Sequence, residues 1–220
     1  MEHPKIHKQG LVYLAIAILL LTMPFCEEYG GSNDFSKDIG TSETGQGGSL
    51  ARFTVAGDYL YTVDHRSLNV FDISQLDNPV QVRSVNVGFG IETIHPKKDM
   101  LFLGSQFGMY IYSIEDPANP ELLSRYEHIF SCDPVVTDDK YAYVTLHSED
   151  SRCGRTTNEL QIVNIEDPEN PYQVARYDMT SPRGLGIREN KLYLCDDGIK
   201  VYEVSKAKNI ELVKHHHIHA

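Results

Sequence analysis

Residues 164–174 read NIEDPENPYQV, and residues 113–123 read SIEDPANPELL. An earlier version, DISQLDNPVQV, occupies 72–82. In each, an Asn-Pro pair sits between two apolar stretches. Pro presets φ near −65° and has no N–H to donate, so it suits the mouth of a turn into an edge strand. The preceding Asn or Asp bonds the local backbone. The motif is turn punctuation, and its recurrence marks a repeat.

Working outward from it, the chain falls into four rows. One strand in each is YLYTV (59–63), MLFLG (100–104), YAYVT (141–145) and KLYLC (191–195), with starts 41, 41 and 50 residues apart. A second is LNVFDI (68–73), MYIYSI (109–114), LQIVNI (160–165) and IKVYEV (199–204). The turn and an outer strand follow: 78–85, 119–126, 170–177 and 209–216. A weaker strand precedes each row, at 51–57, 91–96, 133–138 and 183–188. Four strands in roughly 40 residues is the period of a β-propeller blade. The predicted fold is therefore an all-β propeller of four-stranded antiparallel blades, approximately 49–88, 89–130, 131–180 and 181–216. The fourth row has lost the Pro (Asn209-Ile210), and its turn is expected to be looser. Gly57-Asp58, Asp138-Asp139 and Glu189-Asn190 suit tight hairpin turns with positive φ.

The pattern strand–D-I/S-I/N-I–x–DPxNP resembles the LVIVD-repeat proteins, a group of secreted bacterial propellers. The likeness covers about 49–216. SCDPVVTDDKYAYVTL (131–146), RCG (152–154) and GLGIRENKLYLCDDGIKVYEVS (184–205) resemble a lipoprotein subset of that family. The resemblance implies the fold and a place in the cell envelope. It implies no shared activity. Propellers have about 4–8 blades. Four rows either close a ring alone, with 215–220 added as a strand, or are part of a longer ring, which is the expectation here.

The first residues are of another kind. Lys5 and Lys8 precede an apolar run, Leu11 to Thr22. Such a run is short for a membrane span and reads as a secretory signal, residues 1–25. Cys26 follows, at the place where a bacterial lipoprotein signal puts its acylated Cys, although Phe25 stands where that signal has a small residue. An ordinary signal peptide or an uncleaved anchor is the other reading. Residues 26–48 hold Cys26 and a Gly-, Ser- and acid-rich tether, with a typical reach of about 25 Å. The expected location is the envelope, as an outer-membrane lipoprotein or an otherwise secreted or periplasmic protein. The membrane is reached through the lipid.

A formal charge of −11, with no basic stripe, argues against nucleic acid as a partner. No Gly-rich phosphate loop, G-x-S-x-G or H-E-x-x-H occurs, so no cofactor or metal motif is assigned. His215, His216, His217 and His219 read as a chain end with incidental metal affinity.

In a propeller, the start of each inner strand and the loop between second and third strands share one face, around the channel mouth. There the sequence places Arg52, Glu92, Asp133 and Arg183, together with Asp64, His65, His147, Asp196 and Asp197. These are the candidate ligand-binding residues. Row three inserts a long loop, 147–159, on the same face, and insertions on one face of a repeat array often mark the binding face. Cys132 and Cys153 would pin that loop if disulfide-linked, worth about 3 kcal/mol. Cys132 with Cys195 is the competing pair; otherwise Cys195 is a buried strand residue.

The expected role is a binding or scaffold module for a glycan or protein. The alternative is a glycan-processing hydrolase or lyase using mouth carboxylates and His147. An enzyme calls for two acids about 5–10 Å apart with one pKa raised. A binding module calls for exposed aromatics instead.

Overall fold

Alternating side chains and turn residues at fixed spacing produce sixteen strands, which the computed structural model describes over residues 51–128, 134–147 and 157–218. Asp133, Cys132, Cys153, Cys26 and most of the row-three insertion lie outside the described residues. So do the expected signal and tether.

The strands form four antiparallel four-stranded sheets in chain order, consistent with a β-propeller of four blades. Blade 1 is β1 (Phe53–Ala56), β2 (Tyr59–Val63), β3 (Ser67–Asp72) and β4 (Val80–Asn86). Blade 2 is β5 (Ile91–Lys97), β6 (Met100–Ser105), β7 (Gly108–Ser113) and β8 (Glu121–Glu127). Blade 3 is β9 (Val135–Thr137), β10 (Tyr141–Leu146), β11 (Glu159–Asn164) and β12 (Tyr172–Asp178). Blade 4 is β13 (Leu185–Arg188), β14 (Lys191–Cys195), β15 (Ile199–Glu203) and β16 (Glu211–His216). There is no helix among the described residues. The inner strands β1, β5, β9 and β13 lie side by side in that order.

Each blade has a forward face toward the next blade and a backward face toward the previous one. The period-2 pleat sends alternate residues to each. Forward-facing Tyr61 and Val70 of blade 1 meet backward-facing Ile94, Leu101 and Leu103 of blade 2. Phe102 and Ile111 meet Val135, Ala142 and Val144. Tyr143 and Ile162 meet Leu185, Leu192 and Leu194. Full burial of each Val, Leu, Ile or Phe side chain among these stabilises by about 1.5–3 kcal/mol. The core is thus three interblade layers.

The outer faces of the first and last blades are different. Register aligns Phe53 with Ile94, Val135 and Leu185, each opposite the fourth residue of its β2-type strand. Those three are buried, while Phe53 is 63% exposed. Tyr193 occupies the position of the buried Tyr61, Phe102 and Tyr143, yet it is 42% exposed. The backward face of blade 1 and the forward face of blade 4 are built like interblade faces and have no blade against them among the described residues.

Every blade also carries a bulge between its third and fourth strands, at Val70/Phe71, Ile111/Tyr112, Ile162/Val163 and Val201/Tyr202. A bulge increases local twist and re-aims an edge strand.

The recurring turn is structural, as its chemistry predicts. The Asp116 carboxylate accepts from the Ala118 amide at 3.1 Å and from Asn119 Nδ2 at 2.9 Å. Asp167 does the same with Glu169 and Asn170. Each turn also takes a bond from the preceding blade. Tyr61 donates to Pro117 O at 2.8 Å, and Ser124 donates to Pro168 O at 2.5 Å.

In blade 4 the expected looseness is absent. Asn209 N donates to Lys206 O at 2.8 Å, closing the same turn. Ile210 keeps an N–H that Pro lacks, and donates it to Tyr177 Oη at 3.2 Å. The hairpin expectation holds for Gly57 and Glu189, both at positive φ, and extends to Lys98. Asp138-Asp139 has no positive φ; instead the Asp138 carboxylate accepts from the Lys140 and Tyr141 amides, each at 2.7 Å.

Candidate functional site

The β2–β3 type hairpins return to the face where the inner strands begin, as the topology requires. In blade 1, Val63 N donates to Arg52 O at 2.8 Å. His65 O accepts from Ile91 N at 3.2 Å, and Gly90 O accepts from Gln106 N at 3.0 Å. Blade 1 and blade 2 loops therefore interlock at the mouth.

That junction carries a group of aromatics which sequence reasoning did not single out. Phe89 is 54% exposed and Phe107 37% exposed. His65 stacks on Phe89 with ring centroids 6.5 Å apart and planes 12° apart. Phe107 tilts against Phe89, also at 6.5 Å. The Arg66 guanidinium lies 5.3 Å from the Phe89 centroid, a cation–π distance. Gly90 at φ +74° makes the bend after Phe89, a conformation that strains other residues. Beside the rings, Gln106 Nε2 donates to Glu92 Oε1 at 2.9 Å. The result is an apolar platform with a cation, an imidazole and a carboxylate within it. Exposed rings flanked by polar groups suit recognition of a ligand face.

Other sequence candidates divide. His65 and Glu92 are at this platform. Arg52 contributes its carbonyl to the strand start. Asp64 is turned into its own hairpin, where its carboxylate accepts from the Arg66 and Ser67 amides, each at 2.7 Å. Those two bonds hold its pKa below the usual carboxylate value. Arg183 is exposed at the approach to β13, and its carbonyl accepts from Thr145 Oγ1 at 2.9 Å. His147 is half-buried just past β10.

Asp196 is fully buried and accepts from Thr180 N at 3.0 Å, Ser181 N at 2.5 Å and Lys200 Nζ at 2.7 Å. Burial alone would raise its pKa. Lys200 and the two amides outweigh burial and lower it. Asp196 is a clamp between the β12–β13 connection and the β14–β15 hairpin. Asp197 is exposed at the tip of that hairpin, at φ +51°.

Cys195 is a free thiol and exposed, not the buried residue expected. It occupies the forward-facing position of Val63 and Thr145, and no next blade covers it among the described residues. Cys132 and Cys153 lie outside the described residues.

A separate cleft of 820 Å³ opens at the opposite face, among Lys97, Asp138, Asp139, Lys140, Arg188 and Glu189. Three of its charged residues pair with neighbours: Asp139 with Lys97 at 3.3 Å and Lys98 at 3.2 Å, and Lys140 with Glu166 at 3.1 Å. Asp138 accepts from Tyr143 Oη at 2.7 Å.

The comparisons with known proteins agree with the fold. Residues 47–87, which include blade 1, match the LVIVD repeat. The chain thus carries an LVIVD repeat within a β-propeller architecture. It is similar to a solved protein from Lactobacillus plantarum, at 12% identity and a TM-score of 0.57, over 73% of this chain and 54% of that one. It is similar to a hypothetical selenium-binding protein from Sulfolobus tokodaii, at 12% identity and a TM-score of 0.54, over 70% and 51%. The N-terminal domain of Nup159 shows 8% identity and a TM-score of 0.52, over 77% and 45%. This chain spans about half the length of these structures. No curated protein matches it. Likeness at this level establishes fold alone.

Proposed function

We propose that the protein is a binding module of the bacterial envelope, secreted or lipid-anchored through Cys26, whose ligand docks on the His65–Phe89–Phe107 platform. The ligand is a glycan or a segment of a partner protein. The observation that carries this reading is the exposed, mutually packed aromatic group at the channel mouth. A propeller fold supports binding or scaffolding in general, since loops on a rigid scaffold carry function. Envelope location rests on the signal, the Cys and the tether read from the sequence.

The hydrolase or lyase reading has less support. It needs a carboxylic acid held protonated. At the mouth, the Asp64 and Asp196 carboxyls are both pushed the other way and bonded to amides.

The test is co-sedimentation of the purified chain with cell-wall glycan and with envelope membrane protein. The wild type is expected to bind one of them. Phe89→Ala with Phe107→Ala should weaken binding at least tenfold with the melting temperature unchanged, because truncated aromatic anchors typically cost 2 kcal/mol or more. Equal binding by the double variant would remove the platform from consideration.

A further inference from the structure

The end of β16 meets the tip of the β14–β15 hairpin at the mouth face. Gly198 allows this approach. At φ +100°, a Cβ there would lie 2.2 Å from His216 O. The close crossing brings side chains from two distant stretches together.

His215 and His217 are two apart on an extended segment, so both point to one side. Their rings lie 3.8 Å apart, centroid to centroid. His215 Nε2 is 2.6 Å from Asp197 O. One ligand atom each from Asp197, His215 and His217 lies within 4.8 Å of the other two. We propose that these three residues form a binding site for a divalent transition metal, with Zn²⁺ as the cation that fits best.

The donor set selects the metal class. Two imidazoles and a carboxylate suit Zn²⁺ and its transition-metal neighbours, whereas Ca²⁺ and Mg²⁺ take oxygen ligands. Zn²⁺ sits about 2.0–2.2 Å from such ligands, which sets tetrahedral donor separations of roughly 3.4 Å. The ligand atoms lie within 4.8 Å of one another, so exposed Asp197 and His217 need to close by at most about 1.4 Å to reach that spacing. The second shell is also present. Donation from His215 Nε2–H to the Asp197 carbonyl fixes the tautomer and leaves Nδ1 as the lone-pair nitrogen, the arrangement typical of ligating His. Three protein ligands leave a fourth position for water or for a donor on a bound partner.

This site is independent of the aromatic platform, which belongs to blades 1 and 2. It is also distinct from the general affinity of a His-rich tract. Such a tract would use His216 as readily as His217, and would not use Asp197.

The experiment uses the full chain without an affinity tag, stripped of metal by a chelator. Zn²⁺ is then titrated in competition with a chromophoric chelator. One Zn²⁺ per chain is expected. Asp197→Asn should weaken it at least tenfold, and His217→Gln likewise. Asn tolerates positive φ, so the hairpin turn survives the first change. His216→Gln should stay within twofold of wild type. Failure to take up Zn²⁺ would overturn the site. So would full affinity in Asp197→Asn, or an equal loss in His216→Gln and His217→Gln; either would mean an ordinary His tract.

Discussion

His95, on inner strand β5, is buried, and its Nδ1 has no hydrogen-bond partner among the described residues. Burial, aided by the charge of Lys97, lowers its pKa from 6.5 to about 4. The folded state therefore holds a neutral imidazole, while the unfolded chain takes a proton below about pH 6.5. The associated stability, about 3 kcal/mol, is fully present above pH 6.5 and is lost as pH falls through 4. Melting temperature should drop across that window, and His95→Gln should flatten the drop. A profile that keeps its slope in the variant would assign the acid sensitivity to other groups. Asp196 adds to the same trend lower down. Its depressed pKa gives stability that is present above the ordinary carboxylate value and lost as pH falls further.

Neither residue's role was legible in the sequence. His95 sits in IETIHP like any strand residue, and its burial comes from packing that the local sequence does not show. Asp196 and Asp197 are identical neighbours on paper. Only the hairpin geometry turns one inward onto Lys200 and leaves the other at the tip.

At the scale of the element, the Asn-Pro turn acts as a connector between blades. In the first two interblade junctions a hydroxyl donates to a proline carbonyl of the next turn. In the third the direction reverses, and Tyr177 accepts from the Ile210 amide. This substitution explains why the loss of Pro does not loosen the fourth turn. Tyr177→Phe should cost about 1 kcal/mol in a denaturant titration. In an Ile210→Pro background the donor is gone, and the same change should cost close to nothing. Equal costs in both backgrounds would show that the hydroxyl works elsewhere.

The strands and their turns were legible because alternation and turn chemistry are local. The aromatic platform was not. VGFG (87–90) and SQFGM (105–109) read as strand and turn, and nothing local says that Phe89 and Phe107 converge on His65. Their meeting depends on how two blades interlock.

At the scale of the whole molecule, the dominant feature is a pair of interblade faces with no blade against them among the described residues. Phe53 and Tyr193 are stationed where other blades bury apolar side chains. Such faces are association surfaces, and the edges beside them add to the tendency. The mass from sedimentation should rise with concentration, and Phe53→Glu or Tyr193→Glu should suppress the rise. A mass equal to one chain at all concentrations would show that the faces are tolerated in water. Repeat number and blade order were legible from the recurring strands, with the Asn-Pro turn as the first mark of the repeat. The open faces were not, because a sequence pattern marks a residue as core-like without saying whether a neighbour arrives.

The misjudged Cys195 follows from the same cause, and it has a practical consequence. A thiol that a neighbouring blade would shield instead lies in the open on the forward face of blade 4. Its rate of alkylation then reports whether anything is seated there. Rapid labelling marks a bare face. Protection that appears with concentration or with added partner would time the arrival of whatever seats on that face, with no foreign label needed in advance.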